Sequence, residues 1–105
     1  MAVDLSTAVA PLHTETITMA TTITQVTLPA WTRKVTIRFV TIAGRLTHTG
    51  ADGAALGAEH YVLAADEDHE ITLSARGQLP ESNRILRLAA ASGTPTAHLL
   101  IERGD

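Results

Sequence analysis

The stretch "RKVTIRFVTI", Arg33 to Ile42, decides the fold. Val35, Ile37 and Phe39 share one parity; Lys34, Thr36 and Arg38 share the other. That period of two is the pattern of a strand with one buried face and one solvated face. β-Branched residues recur through it, and their stiff side chains pack well on a pleated surface. Gly44 is expected to end the strand.

Moving outward toward the N-terminus, "LPAW" at Leu28 to Trp31 is a break, because Pro29 has no N–H for a central ladder. Before it, "TETITMATTITQVTL", Thr14 to Leu28, is rich in threonine and β-branched residues. Ile17, Met19 and Ile23 lie on one parity, and Val26 and Leu28 on the other. The phase change near Ala20 to Thr22 signals two strands or a bulge. Residues 1–13 show no period and read as an extended N-terminal arm ahead of a single β-sandwich domain over residues 14–105.

Toward the C-terminus, "RLTHT" reads as a short strand. "GADG" reads as a turn, with Gly50 and Gly53 taking positive φ and Asp52 closing an Asx-turn. "EHYVLAA", "HEITLS" and "AHLLIERG" read as strands; "RILRLAAAS", after the loop "ARGQLPESN", fits helix or strand by pattern, and its neighbours and its length before "SGTPT" select strand. Roughly seven or eight short strands with frequent turn signals predict an all-β chain, an antiparallel β-sandwich or jelly-roll-like barrel. No helix, internal repeat or low-complexity tract is signalled.

Composition narrows the functional classes. The chain has no cysteine, which removes disulfides, thiolate zinc sites and cysteine nucleophiles. A net charge of −3 predicts neither nucleic acid nor an anionic membrane as partner. "MAVDLSTAVAPLH" lacks the basic start of a secretory signal, and no window reaches the roughly 18 apolar residues of a membrane helix. The expectation is a soluble protein folded in a cytoplasm. Only Trp31, Phe39 and Tyr61 are aromatic, so the core is built from small side chains. At about 25 cal/mol per Å² of buried apolar surface, such a core stabilises less than a Leu/Phe-rich one. Self-association is the usual remedy in a small domain. Arginine outnumbers lysine seven to one, an interface-like bias that a GC-rich genome also produces.

The segment with most chemical potential is "GADGAALGAEHYVLAADEDHE", Gly50 to Glu70. It has no lysine and no following helix, so it fails as a phosphate-binding loop. Asp66, Glu67, Asp68 and Glu70 lack calcium-loop spacing, though Asp66 and Asp68 offer weak calcium ligation. His48, His60 and His69 lie on separate elements without zinc spacing. His69 shares parity with Ile71 and Leu73, as a core-edge histidine does. His98 and Glu102 read as a surface pair. Ser6, Ser74, Ser82 and Ser92 sit in no nucleophile-elbow motif. The reading is therefore a non-enzyme without metal or cofactor. Trp31 is either a core anchor, the preferred reading, or an exposed stacking platform, a role open to Tyr61 as well. The candidate interaction residues are Trp31, Arg84, Arg87 and the outward-parity Leu100.

Three stretches together, "LPAWTRKVTIRF", "GADGAALGAEHYVLAADEDHEITL" and "RILRLAAASGTPTAHLLIERG", resemble small β-rich virion proteins of tailed bacteriophages. The resemblance runs from about Leu28 onward and carries no site motif. It implies a structural role in the particle, most commonly a capsid decoration (cement) protein bound to the major capsid protein as a homotrimer. Tail, neck or fibre-base positions are the other implied locations. A tail- or fibre-associated carbohydrate- or receptor-binding module is the second expectation.

Overall fold

A computed structural model describes residues 2–73 and 85–103 of the chain. It is all-β and contains two sheets. The described strands are β1 (Val3–Asp4), β2 (Leu12–Thr18), β3 (Thr24–Thr27), β4 (Lys34–Phe39), β5 (Gly44–Thr47), β6 (Tyr61–Leu63), β7 (His69–Thr72), β8 (Ile85–Ala90) and β9 (Thr96–Glu102). One sheet has the order β1-β3-β8-β5-β6 and the other β2-β9-β4-β7. The described strands pair antiparallel except β1 with β3.

The alternation in β4 sets the four-stranded sheet. Val35, Ile37 and Phe39 are fully buried, and Arg38 faces solvent. β4 is flanked by β9, which brings Ala97, Leu99 and Ile101 to the same inner face. The opposing sheet contributes Val26, Leu63, Leu86 and Leu88. The two inner faces interdigitate to form the core, as aligned sheets in a sandwich do.

The phase change between Ile17 and Val26 has a direct cause. β2 lies in one sheet and β3 in the other, so the chain changes sheets between them. Met19 and Ile23 stay buried through the crossing.

Several local expectations need correction. Gly44 opens β5 rather than ending β4. A Cβ at this position would overlap the Phe39 ring, so the glycine makes room for the largest buried side chain. β2 begins at Leu12, two residues before the expected start.

Within residues 1–13, β1 makes a short strand contact. Val3 and Asp4 pair with Val26 and Thr27, and the Leu5 N–H donates to the Thr27 carbonyl at 2.8 Å. Leu5 is buried in the core cluster. A two-residue parallel strand with one apolar anchor leaves no periodic trace in sequence.

Candidate functional site

The glycine loop after β5 folds back over the outside of the five-stranded sheet. Gly50 and Gly53 have φ of 118° and 83°, which glycine alone adopts at low cost. Asp52 does not close an Asx-turn; its Oδ1 accepts from the distant Gln25 N–H at 3.0 Å. That hydrogen bond holds the Asp52 carboxyl below the ordinary carboxylate range. Gln25 Nε2 and Arg87 Nε both donate to the Gly50 carbonyl, each at 2.9 Å. Arg87 also donates to the His48 carbonyl at 3.3 Å. Gln25 and Arg87 are register partners on β3 and β8, so the two side chains clamp the loop from adjacent strands. Arg87, one of the candidate interaction residues, thus also braces the loop. Arg84 lies outside the described residues.

The acidic turn is committed to structure in the same way. Asp66, at φ 59°, accepts from the Thr41 N–H at 3.0 Å. Asp68 pairs with Arg38 at 3.2 Å, and Glu70 with Lys34 at 2.9 Å. The Glu70 contact raises the Lys34 pKa, first through the hydrogen bond and then through its charge. Among the described residues, no group of three or more His, Cys, Asp or Glu side chains is arranged to hold a metal ion. His69 lies beside the core margin, half-buried, with Nε2 3.3 Å from the Ala64 carbonyl. His98 does not pair with Glu102; its Nδ1 shares a hydrogen bond with the Thr16 hydroxyl at 3.2 Å. Register explains this, since Thr16 faces His98 directly across β2 and β9.

Trp31 is half-buried against the core, and its Nε1–H donates to the Ala8 carbonyl at 2.9 Å. That hydrogen bond ties it to the first residues of the chain, while Tyr61 is the more exposed ring. Tyr61 is 65% exposed. It stands at the rim of a groove of about 510 Å³ beside His48, Glu59 and His60.

Leu100 lies at the centre of the outer face of the four-stranded sheet. Thr14 and Thr36 are its register partners on either side. One level along, His98 lies between Thr16 and Arg38. Together these residues line a shallow cavity of about 410 Å³. Two ion pairs, Lys34–Glu70 and Arg38–Asp68, border the face on the β7 side. Parity placed Leu100 outward, but only the register of β2, β9 and β4 shows that Thr14 and Thr36 flank it across the sheet, with His98 and Glu102 next to it along β9. No protein-family model matches the chain, and no curated protein matches it.

Proposed function

We propose that the chain is a non-enzymatic structural protein of a bacteriophage virion, a decoration protein that binds and stabilises the exterior of an assembled capsid. The observation that supports this reading best is the outer face of the four-stranded sheet. It carries an apolar centre at Leu100 flanked across the sheet by Thr14 and Thr36, with His98 and Glu102 next along β9 and two ion pairs toward β7. A face of this kind suits a rigid protein surface, because few buried charges would be left unpaired on docking. A protein that binds only the assembled lattice stabilises it by mass action, about 2.7 kcal/mol per site at a free concentration 100 times Kd.

The test adds purified protein to shells of the virus that encodes it and follows their thermal disruption. The wild type raises the disruption temperature. Leu100→Asp, which places a charge at the centre of the face, abolishes the rise while its own unfolding midpoint stays close to the wild-type value. Equal protection by Leu100→Asp would remove this face from the attachment surface.

Tyr61 favours a second reading, a tail- or fibre-associated carbohydrate-binding module. An exposed ring at the rim of a groove with nearby His and Glu side chains matches how sugars are stacked and hydrogen-bonded. Glycan-array binding that disappears in Tyr61→Ala and persists in Leu100→Asp would select it.

A further inference from the structure

We infer that the free edge of β2 is a self-pairing surface, through which two copies of the chain join antiparallel about a twofold axis at Thr14. The two four-stranded sheets then become one continuous eight-stranded sheet.

The direction of the backbone groups carries this first. The Arg103 N–H donates to the Pro11 carbonyl at 3.0 Å, and the Met19 N–H to the Pro95 carbonyl at 2.8 Å. Both bonds lie on the odd-numbered register of β2 with β9. Hydrogen-bonded pairs alternate along an antiparallel ladder. His13, Glu15 and Ile17 therefore bond inward to β9. The N–H and C=O groups of Leu12, Thr14, Thr16 and Thr18 point to the open side. Among the described residues, no strand pairs on that side.

β2 is seven residues long, against two, three and four for the other edge strands β1, β6 and β7. It contains neither proline nor lysine, the residues that most often blunt an edge.

The sequence of β2 then selects the partner and the register. A pairing that uses the even-numbered groups must place its twofold axis at a residue. An axis at Glu15 sets two carboxylates opposite each other, which is destabilising. An axis at His13 opposes two imidazoles, and one at Thr16 leaves Glu15 facing an Ile17. An axis at Thr14 sets each His13 opposite the Glu15 of the other copy, twice. These are non-hydrogen-bonded positions, where Cα atoms come within about 4.5 Å and side chains meet most closely.

Within one protomer His13 Nε2 and Glu15 Oε1 already lie 3.0 Å apart, each side chain 31% exposed at the sandwich rim. In the pair, four such groups alternate around the axis. The same register covers Leu12, 54% exposed in the single chain, with the Thr16 of the other copy. The inference stands apart from the virion reading, and its symmetry is twofold where the resemblance implies threefold.

The test uses the full chain. Light scattering at about 100 micromolar gives the mass of two chains, and native mass spectrometry agrees. Thr14→Cys, in a chain without cysteine, forms a covalent dimer under mild oxidation. Opposed Cα atoms at about 5.5 Å lie inside disulfide range. Thr18→Cys, with its two copies roughly 27 Å apart along the paired strands, does not. Thr14→Pro loses only a solvent-facing N–H in the protomer, so it folds and runs as a monomer. Should it fail to fold, His13→Glu separates the copies and His13→Glu/Glu15→Lys restores them. A monomer or trimer mass for the wild type overturns the inference. So does crosslinking through Thr18→Cys at the rate of Thr14→Cys, or no crosslinking through Thr14→Cys. A dimeric Thr14→Pro, or a charge exchange that restores nothing, has the same consequence.

Discussion

Phe39 is fully buried, and its ring occupies space left by the absent side chain of Gly44. Gly44→Ala is expected to destabilise the fold by about 1–3 kcal/mol, the usual cost of forcing an extra carbon into a packed core. Urea denaturation reads this directly, and an unchanged midpoint would mean the ring has another place to go. Asp52 acts through charge. Its folded pKa is lowered by the Gln25 N–H, so its stabilisation is complete above the unfolded carboxylate value of about 4 and is lost as pH falls through the lower folded value. Asp52→Asn keeps an oxygen acceptor but no charge. Its thermal midpoint should lie below wild type by a constant amount from pH 7 to about 5, with the gap closing in more acidic solution. A gap independent of pH throughout would assign the effect to shape. Single residues were partly legible in sequence. The positive φ of Gly50 and Gly53 follows from turn chemistry. The tasks of Arg87 and Asp52 do not, because each bonds a partner more than twenty residues away.

Among the elements, β4 and β9 were legible because apolar residues of one parity mark strands buried on one face, whereas β8 (ILRLAA) lacks that alternation and was read as a strand from its neighbours and its length. The crossing from β2 to β3 was legible as a change of parity. β1 was not, since two residues cannot show a period and its pairing with β3 is parallel. Its contribution is nevertheless measurable. Leu5 is 7% exposed within the core cluster, so Leu5→Ala should cost about 2 kcal/mol or more. A loss below about 0.5 kcal/mol would detach β1 from the fold. The loop clamp belongs to this scale as well. Arg87→Ala removes charge-assisted bonds to the Gly50 and His48 carbonyls. It should cost about 1 kcal/mol and speed amide exchange at Gly53 and Ala54. Their bonds to the Ile23 carbonyl and the Ala51 carbonyl hold the same loop.

The whole molecule is a sandwich whose two sheets expose different surfaces. The five-stranded sheet is partly overlaid by its own glycine loop. The four-stranded sheet carries a shallow cavity on its outer face beside Leu100, and among the described residues no strand pairs with the outer edge of β2. Period-two patterning identified the fold class, but strand order and register decide which outward residues become neighbours, and neither is encoded locally. The surface proposed for attachment was therefore legible only as one residue, Leu100. The central claim is that this surface serves a particle. Its most direct test is the copy number of the chain in gradient-purified virus particles, measured by quantitative peptide mass spectrometry. The expected result is a fixed ratio to the major capsid protein, unchanged through repeated purification. Particles that carry none of the chain, while it accumulates free in the same cells, would contradict the claim.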